Sequence, residues 1–118
     1  MDFYGGGLKT LAIFAILELV VSYFVATPEI SLPLRLLIGV VALAIAMAVS
    51  DAVFGPGNRL IGVAVIMALL EVLMNLYREY QTVPPLAIWQ KALGAAALGA
   101  LAVFLGGLFP TTRAVVVV

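Results

Sequence analysis

Two carboxylates stand inside otherwise apolar stretches of this sequence. Glu18 lies near the middle of the stretch LAIFAILELVVSYFVA, and Ser22 follows it by one helical turn. Glu71 is followed by Asn75 and Arg78 at the fourth and seventh positions, so that one face of a helix would carry all three. A carboxylate in such surroundings requires a hydrogen-bond donor, a cation, water or a bound proton.

Several kinds of chemistry fit these residues. For Glu18 we consider a structural hydrogen bond to a partner on another segment, proton or cation coupling, and a water-filled surface. The set Glu71, Asn75 and Arg78 fits a satisfied polar network at an interior or subunit interface, and it also fits a solvated lumen or ion path.

Composition limits the class of protein. The chain has 118 residues, of which 65% are hydrophobic and only 10% charged, with no net charge and a mean hydropathy of +1.26. This excludes a water-soluble monomer. The sequence contains neither cysteine nor histidine, so it lacks thiolate metal ligands and the commonest metal ligand and proton shuttle, and we expect no enzyme, cofactor or metal site. The scarcity of Asn and Gln is compatible with a thermophilic source.

Four apolar segments, separated by proline and glycine, predict an all-α fold of membrane type. Each has about 17 to 19 residues, enough to cross roughly 30 Å of hydrocarbon as a helix. We expect one hydrophobic domain over residues 1–118, with the segments paired as two hairpins. The segments cover residues 8–26, 34–50, 60–77 and 92–109.

The fourth segment, KALGAAALGALAVFLGG, is mostly alanine and glycine. Small residues recur at four-residue spacing, as in the pairs Ala95 with Gly99 and Ala102 with Gly106. Such a smooth face lets another helix approach closely, either within the chain or from a neighbouring chain. Trp89, just before this segment, fits a boundary between water and lipid.

Lysine and arginine are divided equally between the two sides of the predicted membrane. The two sets are Lys9, Arg59 and Arg113 on one side, and Arg35, Arg78 and Lys91 on the other. This balance predicts no single orientation. With it, the first segment, GGGLKTLAIFAILELV, resembles the small multidrug resistance exporters. That resemblance implies antiparallel dimers that exchange protons for lipophilic cations at a membrane-embedded glutamate, the role that would fall to Glu18.

A second resemblance involves the stretch LLIGVVALAIAMAVSDAVFGPGNRLIGVAVIMALLEVLMNL. It is similar to the core hairpin of conjugative mating pilins and of the pilins of archaeal DNA-exchange systems. The resemblance implies a subunit that is stored in the membrane and extracted into a tube with bound lipid, with the loop residue Arg59 facing the lumen. The apolar end TTRAVVVV would then be buried against a neighbouring chain.

We therefore expect a structural subunit, a pilin that self-assembles with lipid into a conjugation-like or DNA-exchange pilus. It would occur in the membrane and at the cell surface as an extracellular filament. Its partners would be copies of itself, membrane lipids, secretion-machinery proteins and DNA as a cargo without specific binding. The alternatives are a proton-coupled transporter of the small multidrug type and a small accessory subunit of a membrane complex.

Overall fold

Four α-helices connected by loops make up the part of the chain that the structure describes. The computed structural model describes residues 7–108, and the apolar end TTRAVVVV and Arg113 lie outside the described residues. The helices are α1 (Leu8–Val21), α2 (Leu32–Val53), α3 (Arg59–Tyr77) and α4 (Ile88–Leu108). Within residues 7–108 the only β-type pairing is one bridge between Ala26 and Val83. The prediction of an all-α chain with four helical segments is confirmed.

Three of the helices, α2, α3 and α4, are long and apolar enough to cross a membrane. Helix α1 is shorter than its predicted segment. It has 14 residues, about 21 Å at 1.5 Å per residue, because the chain turns after Val21. The backbone N–H groups of Tyr23 and Phe24 bond to the carbonyls of Val20 and Val21, which closes the helix by tight turns.

The other helix ends follow local chemistry. Helix α2 begins two residues earlier than its predicted segment, with Pro33 in its first turn, where a missing N–H is harmless. Between α2 and α3, Gly55 has a positive φ of 87°, a backbone conformation that favours glycine. Helix α4 begins four residues earlier than predicted. Its first turn is closed because the Gln90 side chain accepts a hydrogen bond from the N–H of Ala87 at 2.8 Å.

The helices form a bundle in which each packs mainly on two others. Helices α1 and α3 both pack on α2 and on α4, so the order around the bundle is α1, α2, α3, α4. Every helix contributes to the buried core, which contains Phe14, Leu43, Ala46, Met47, Val63, Ile66, Met67 and Ala102. The four helices run alternately up and down. The loops 22–31 and 78–87 therefore lie at the same end of the bundle.

The small residues of α4 pack within the chain. A Cβ atom on Gly99 would lie 2.9 Å from Met67 Cγ and 3.1 Å from Val63 Cγ1 of α3, and one on Gly106 would collide with Thr10 of α1. Ala102 is fully buried and Ala95 is half-buried against the core. This face is thus occupied by α3 and α1, and it does not supply a contact surface for another copy of the chain.

Gly39 sets the approach of α1 to α2, which gives the first prediction. A Cβ atom on Gly39 would lie 2.9 Å from Phe14 Cε2 and 3.0 Å from Glu18 Oε1. We expect Gly39→Ala to lower the free energy of unfolding by about 1–3 kcal/mol, the usual loss on overpacking. Thermal unfolding of the detergent-purified protein measures this.

The matched control is Gly94→Ala, because a Cβ on Gly94 has no atom within 4 Å. There the higher helix propensity of alanine should raise stability by up to about 1 kcal/mol. Equal gains in the two variants would contradict the close packing of α1 on α2.

Candidate functional site

One charged side chain from each helix faces a common cleft at the end of the bundle where the loops 22–31 and 78–87 lie. These residues are Glu18 on α1, Arg35 on α2, Glu71 on α3 and Lys91 on α4. We call the four residues the charge ring. Since the helix order is α1, α2, α3, α4, negative and positive charges alternate around the ring. The cleft has a volume of about 680 Å³.

The depth of the charge ring follows from the helix ends. Glu18 is in the last turn of α1, while Arg35 and Lys91 are about one turn after the starts of α2 and α4. Glu71 lies deeper, roughly two turns before the end of α3. The sequence placed Glu18 near the middle of its segment, and the early end of α1 corrects that position. The ring therefore lies close to one end of the bundle.

Glu18 is paired within the chain. One of its carboxylate oxygens, Oε2, lies 3.4 Å from Nε of Arg35, and the residue is only 9% exposed. Arg35 also donates from Nη1 to the carbonyl of Val25 at 2.7 Å, which attaches the loop after α1 to α2. Ser22 donates to the backbone carbonyl of Glu18 at 2.8 Å. The expected partner from another segment is thus Arg35, and Ser22 does not bond the carboxylate.

On the opposite side, Tyr80 of the loop 78–87 connects Glu71 to Lys91. Its hydroxyl donates to Oε1 of Glu71, and its backbone carbonyl accepts from Nζ of Lys91 at 2.6 Å. Lys91 Nζ also lies 4.3 Å from the centre of the Tyr80 ring and donates to Asn75 Oδ1 at 3.1 Å. Asn75 in turn donates to the Glu71 carbonyl at 2.9 Å.

Arg78 does not take the place that helical spacing predicted for it. Helix α3 ends at Tyr77, and the backbone of Arg78 is extended, with φ −150° and ψ 107°. The Glu71 and Asn75 side chains contact Tyr80 and Lys91 instead, as far as the described residues show. Arg78 still lines the cleft together with Glu71, but the predicted helical face of Glu71, Asn75 and Arg78 is only partly formed, because α3 ends one residue before Arg78.

Arg59, the residue that the pilin resemblance assigned to a lumen, forms an ion pair at the other end of the bundle. Its Nε and Nη2 donate to the two carboxylate oxygens of Asp51 at 3.1 and 2.6 Å. This bidentate pair connects the end of α2 to the start of α3 across the short 3₁₀ turn Pro56–Asn58. The Arg59 guanidinium therefore stabilises the turn between α2 and α3.

The loops 22–31 and 78–87 are held together above the charge ring. Ala26 and Val83 exchange two backbone hydrogen bonds of 2.9 Å, and Val83 is followed by a cis peptide bond to Pro84. The buried hydroxyl of Thr82 donates to the Pro84 carbonyl at 2.9 Å and accepts from the Leu86 N–H at 3.0 Å. These bonds fix the loop that carries Tyr80.

Three members of the site were missed by the sequence reasoning. The sequence analysis uses Arg35 and Lys91 only as charges on one side of the predicted membrane, and it gives Tyr80 no role. Two residues signal that the helices begin early enough to include Arg35 and Lys91. Pro33 is typical of the first turn of a helix, and Gln90 can accept a hydrogen bond from a backbone N–H at the start of a helix. Within residues 7–108 no group of three or more His, Cys, Asp or Glu residues could hold a metal ion.

Comparisons with protein-family models, with curated proteins and with solved structures give no match for this chain. The two family resemblances therefore remain predictions, and functional inference depends on the geometry of the cleft.

Tyr80 supplies the second prediction. Burial and then the hydrogen bond and charge of Glu71 raise the pKa of the Tyr80 phenol. In the unfolded chain a tyrosine ionises near pH 10, so the stabilisation from protonated Tyr80 should be complete below that pH and lost as the pH rises towards the higher folded-state pKa. Absorbance at 295 nm should show that Tyr80 ionises well above pH 10.

Tyr80→Phe should remove this late transition and lower the free energy of unfolding by about 1–3 kcal/mol, because a hydrogen bond to a charged group is lost. Tyr77→Phe is the control, since Tyr77 is 92% exposed. An unchanged alkaline titration in Tyr80→Phe would show that Tyr80 is not the buried phenol.

Proposed function

We propose that this protein is a small membrane-embedded carrier that takes an amphiphilic ligand into the cleft at one end of its bundle. The observation that supports this proposal best is the charge ring: four charged residues from four helices face one cleft instead of the seams between helices. Ionisable groups in apolar helices are expensive to bury, and they commonly mark a pathway for a polar ligand or ion.

The outer surface supports a membrane location. Large apolar side chains are exposed on every helix, among them Ile16, Leu37, Leu69 and Phe104. Among the described residues, the exposed tyrosine and tryptophan side chains, Tyr23, Tyr77 and Trp89, lie at the cleft end of the bundle, where α1 and α3 end and α4 begins. Aromatic side chains of this kind are enriched where lipid meets water. In this arrangement the charge ring lies about one to two turns below the interface.

An apolar groove beside the cleft favours an amphiphile over a fully polar solute. The groove lies between α2 and α3 and has a volume of about 340 Å³. Four of its lining residues, Ile38, Ala42, Leu70 and Met74, also line the cleft. A ligand could therefore place a polar head near the charge ring and an apolar chain in the groove, entering from the bilayer.

In a carrier of this kind Glu18 and Glu71 are the groups able to exchange a bound cation or ammonium for protons, as the exporter resemblance implies for Glu18. Arg35 and Lys91 balance the charges of Glu18 and Glu71, and the cleft stays electrically neutral because the two loop residues that also line it, Glu29 and Arg78, carry opposite charges.

Cysteine labelling tests the binding proposal, because the chain contains no native cysteine. Gly94 lines the cleft and Gly107 does not, although both lie on α4 and both have open space where a side chain would start. In detergent, a charged methanethiosulfonate reagent should modify Gly94→Cys, and a total lipid extract of the producing cells should slow that reaction about tenfold.

The rate at Gly107→Cys should not change when the extract is added. Equal protection at both positions would indicate a general effect of the micelle, and no protection at Gly94→Cys would contradict a ligand-binding cleft.

The second candidate function is the pilin predicted from the sequence: a self-assembling subunit of a conjugation-like or DNA-exchange pilus, with lipid between subunits. The observation that favours it is the continuous apolar outer surface, which could contact other copies of the chain. DNA cargo, secretion-machinery partners and a cell-surface location belong to this proposal.

Electron microscopy of material sheared from the surface of native cells, with mass spectrometry of the fraction, tests the pilin proposal. Filaments that contain this chain as the main component would establish it. A chain found only in the membrane fraction, with none in the filaments, would overturn it.

A further inference from the structure

The carboxylate of Glu18 has a buried acceptor without a hydrogen-bond donor. Oε2 is shielded from solvent and accepts no hydrogen bond within the described part of the chain. Its ion-pair distance of 3.4 Å to Arg35 Nε is longer than a normal hydrogen bond between these groups. Glu18 lines the cleft, and a rotation of its carboxylate towards the cleft would let Oε2 accept from a ligand that carries N–H donors on a cation.

Lys91 offers the complementary contact. An ammonium has three N–H donors, and two of them are used by Asn75 Oδ1 and the Tyr80 carbonyl. Both partners are neutral acceptors, and no carboxylate lies within ion-pair distance of Lys91 among residues 7–108. The residue is only 9% exposed and lines the cleft, so its positive charge is available to an anionic group of a ligand.

The apolar groove indicates that the ligand also has an apolar part. It continues from the cleft between α2 and α3, and its outer edge is formed by the exposed side chains of Leu37, Val41 and Ile45. The site thus combines a Glu18 oxygen that accepts no hydrogen bond, a Lys91 ammonium without a carboxylate partner among residues 7–108, and an adjoining apolar groove. These three features match a molecule with a cation, an anion and a hydrocarbon chain.

We propose, as a refinement that rests on the carrier function above, that the ligand is a zwitterionic lipid whose head bears a primary ammonium and a phosphate. The ammonium donates to Glu18 Oε2, the phosphate accepts from Lys91, and one chain lies in the apolar groove. A quaternary ammonium has no N–H to donate to Glu18, and a purely anionic head would leave Glu18 Oε2 without a hydrogen-bond donor. Lipids with choline or glycerol heads should therefore bind more weakly.

The test uses the Gly94→Cys protein in nonionic detergent. Dioleoyl lipids with ethanolamine, choline or glycerol phosphate heads are titrated separately, and the concentration that halves the labelling rate is measured. We expect the ethanolamine lipid to protect at a concentration about tenfold lower than the other two, the effect of one charge-assisted hydrogen bond.

Adding Glu18→Gln to this protein should remove the preference for ethanolamine, whereas Glu79→Gln, an exposed carboxylate at the same end of the bundle, should leave it unchanged. Equal protection by the three lipids, or a preference that survives Glu18→Gln, would overturn the proposal. The comparison of the three lipids requires no change in the charge ring, so it remains decisive if Glu18→Gln does not fold.

The two proposals fail in different ways. If the total extract protects Gly94→Cys and none of the three lipids does so preferentially, the ligand class is wrong and the carrier proposal stands. If neither the extract nor any of the lipids protects, both proposals are wrong.

Discussion

The arrangement of this protein depends on the cancellation of four charges inside an apolar bundle. A single buried ion would be strongly unfavourable, and a pair of like charges more so. The bundle places one charge on each helix, the signs alternate in the order of the helices, and two acids and two bases therefore face the same cleft. This constraint fixes the relative heights of the helices, because each must present its charged residue at the same end.

Glycines provide the close helix contacts that the charge ring needs. Glu18 and Arg35 can pair only if α1 lies close to α2, and Gly39 provides the space because any side chain there would meet Phe14 and Glu18. On α4, Gly99 and Gly106 allow equally close contacts with α3 and α1. The small residues therefore serve the interior of the chain, and the surface left for lipid or other proteins is formed by larger apolar side chains.

The number and order of the helices could be predicted from the sequence, because apolar segments separated by proline and glycine are a strong signal. Their ends could not be predicted to within a turn, and the candidate site depended on those ends. A count of basic residues treats Arg35 and Lys91 as charges at one membrane surface, since it does not distinguish a cation exposed to water from one that faces a cleft from the first turns of a helix. Likewise, the spacing of Glu71 and Arg78 places them on one face only if the helix continues as far as Arg78, and helix α3 ends at Tyr77.

The pairing of charges has a consequence for how the chain enters a bilayer. Glu18 and Arg35 belong to the hairpin of α1 and α2, whereas Glu71 and Lys91 belong to the hairpin of α3 and α4. Each hairpin thus contains one acid and one base of the charge ring, of which one is buried and the other half-buried. The newly made chain does not have to wait for its second half before the ions of the first are compensated, and insertion can proceed in two electrically balanced steps, one hairpin at a time.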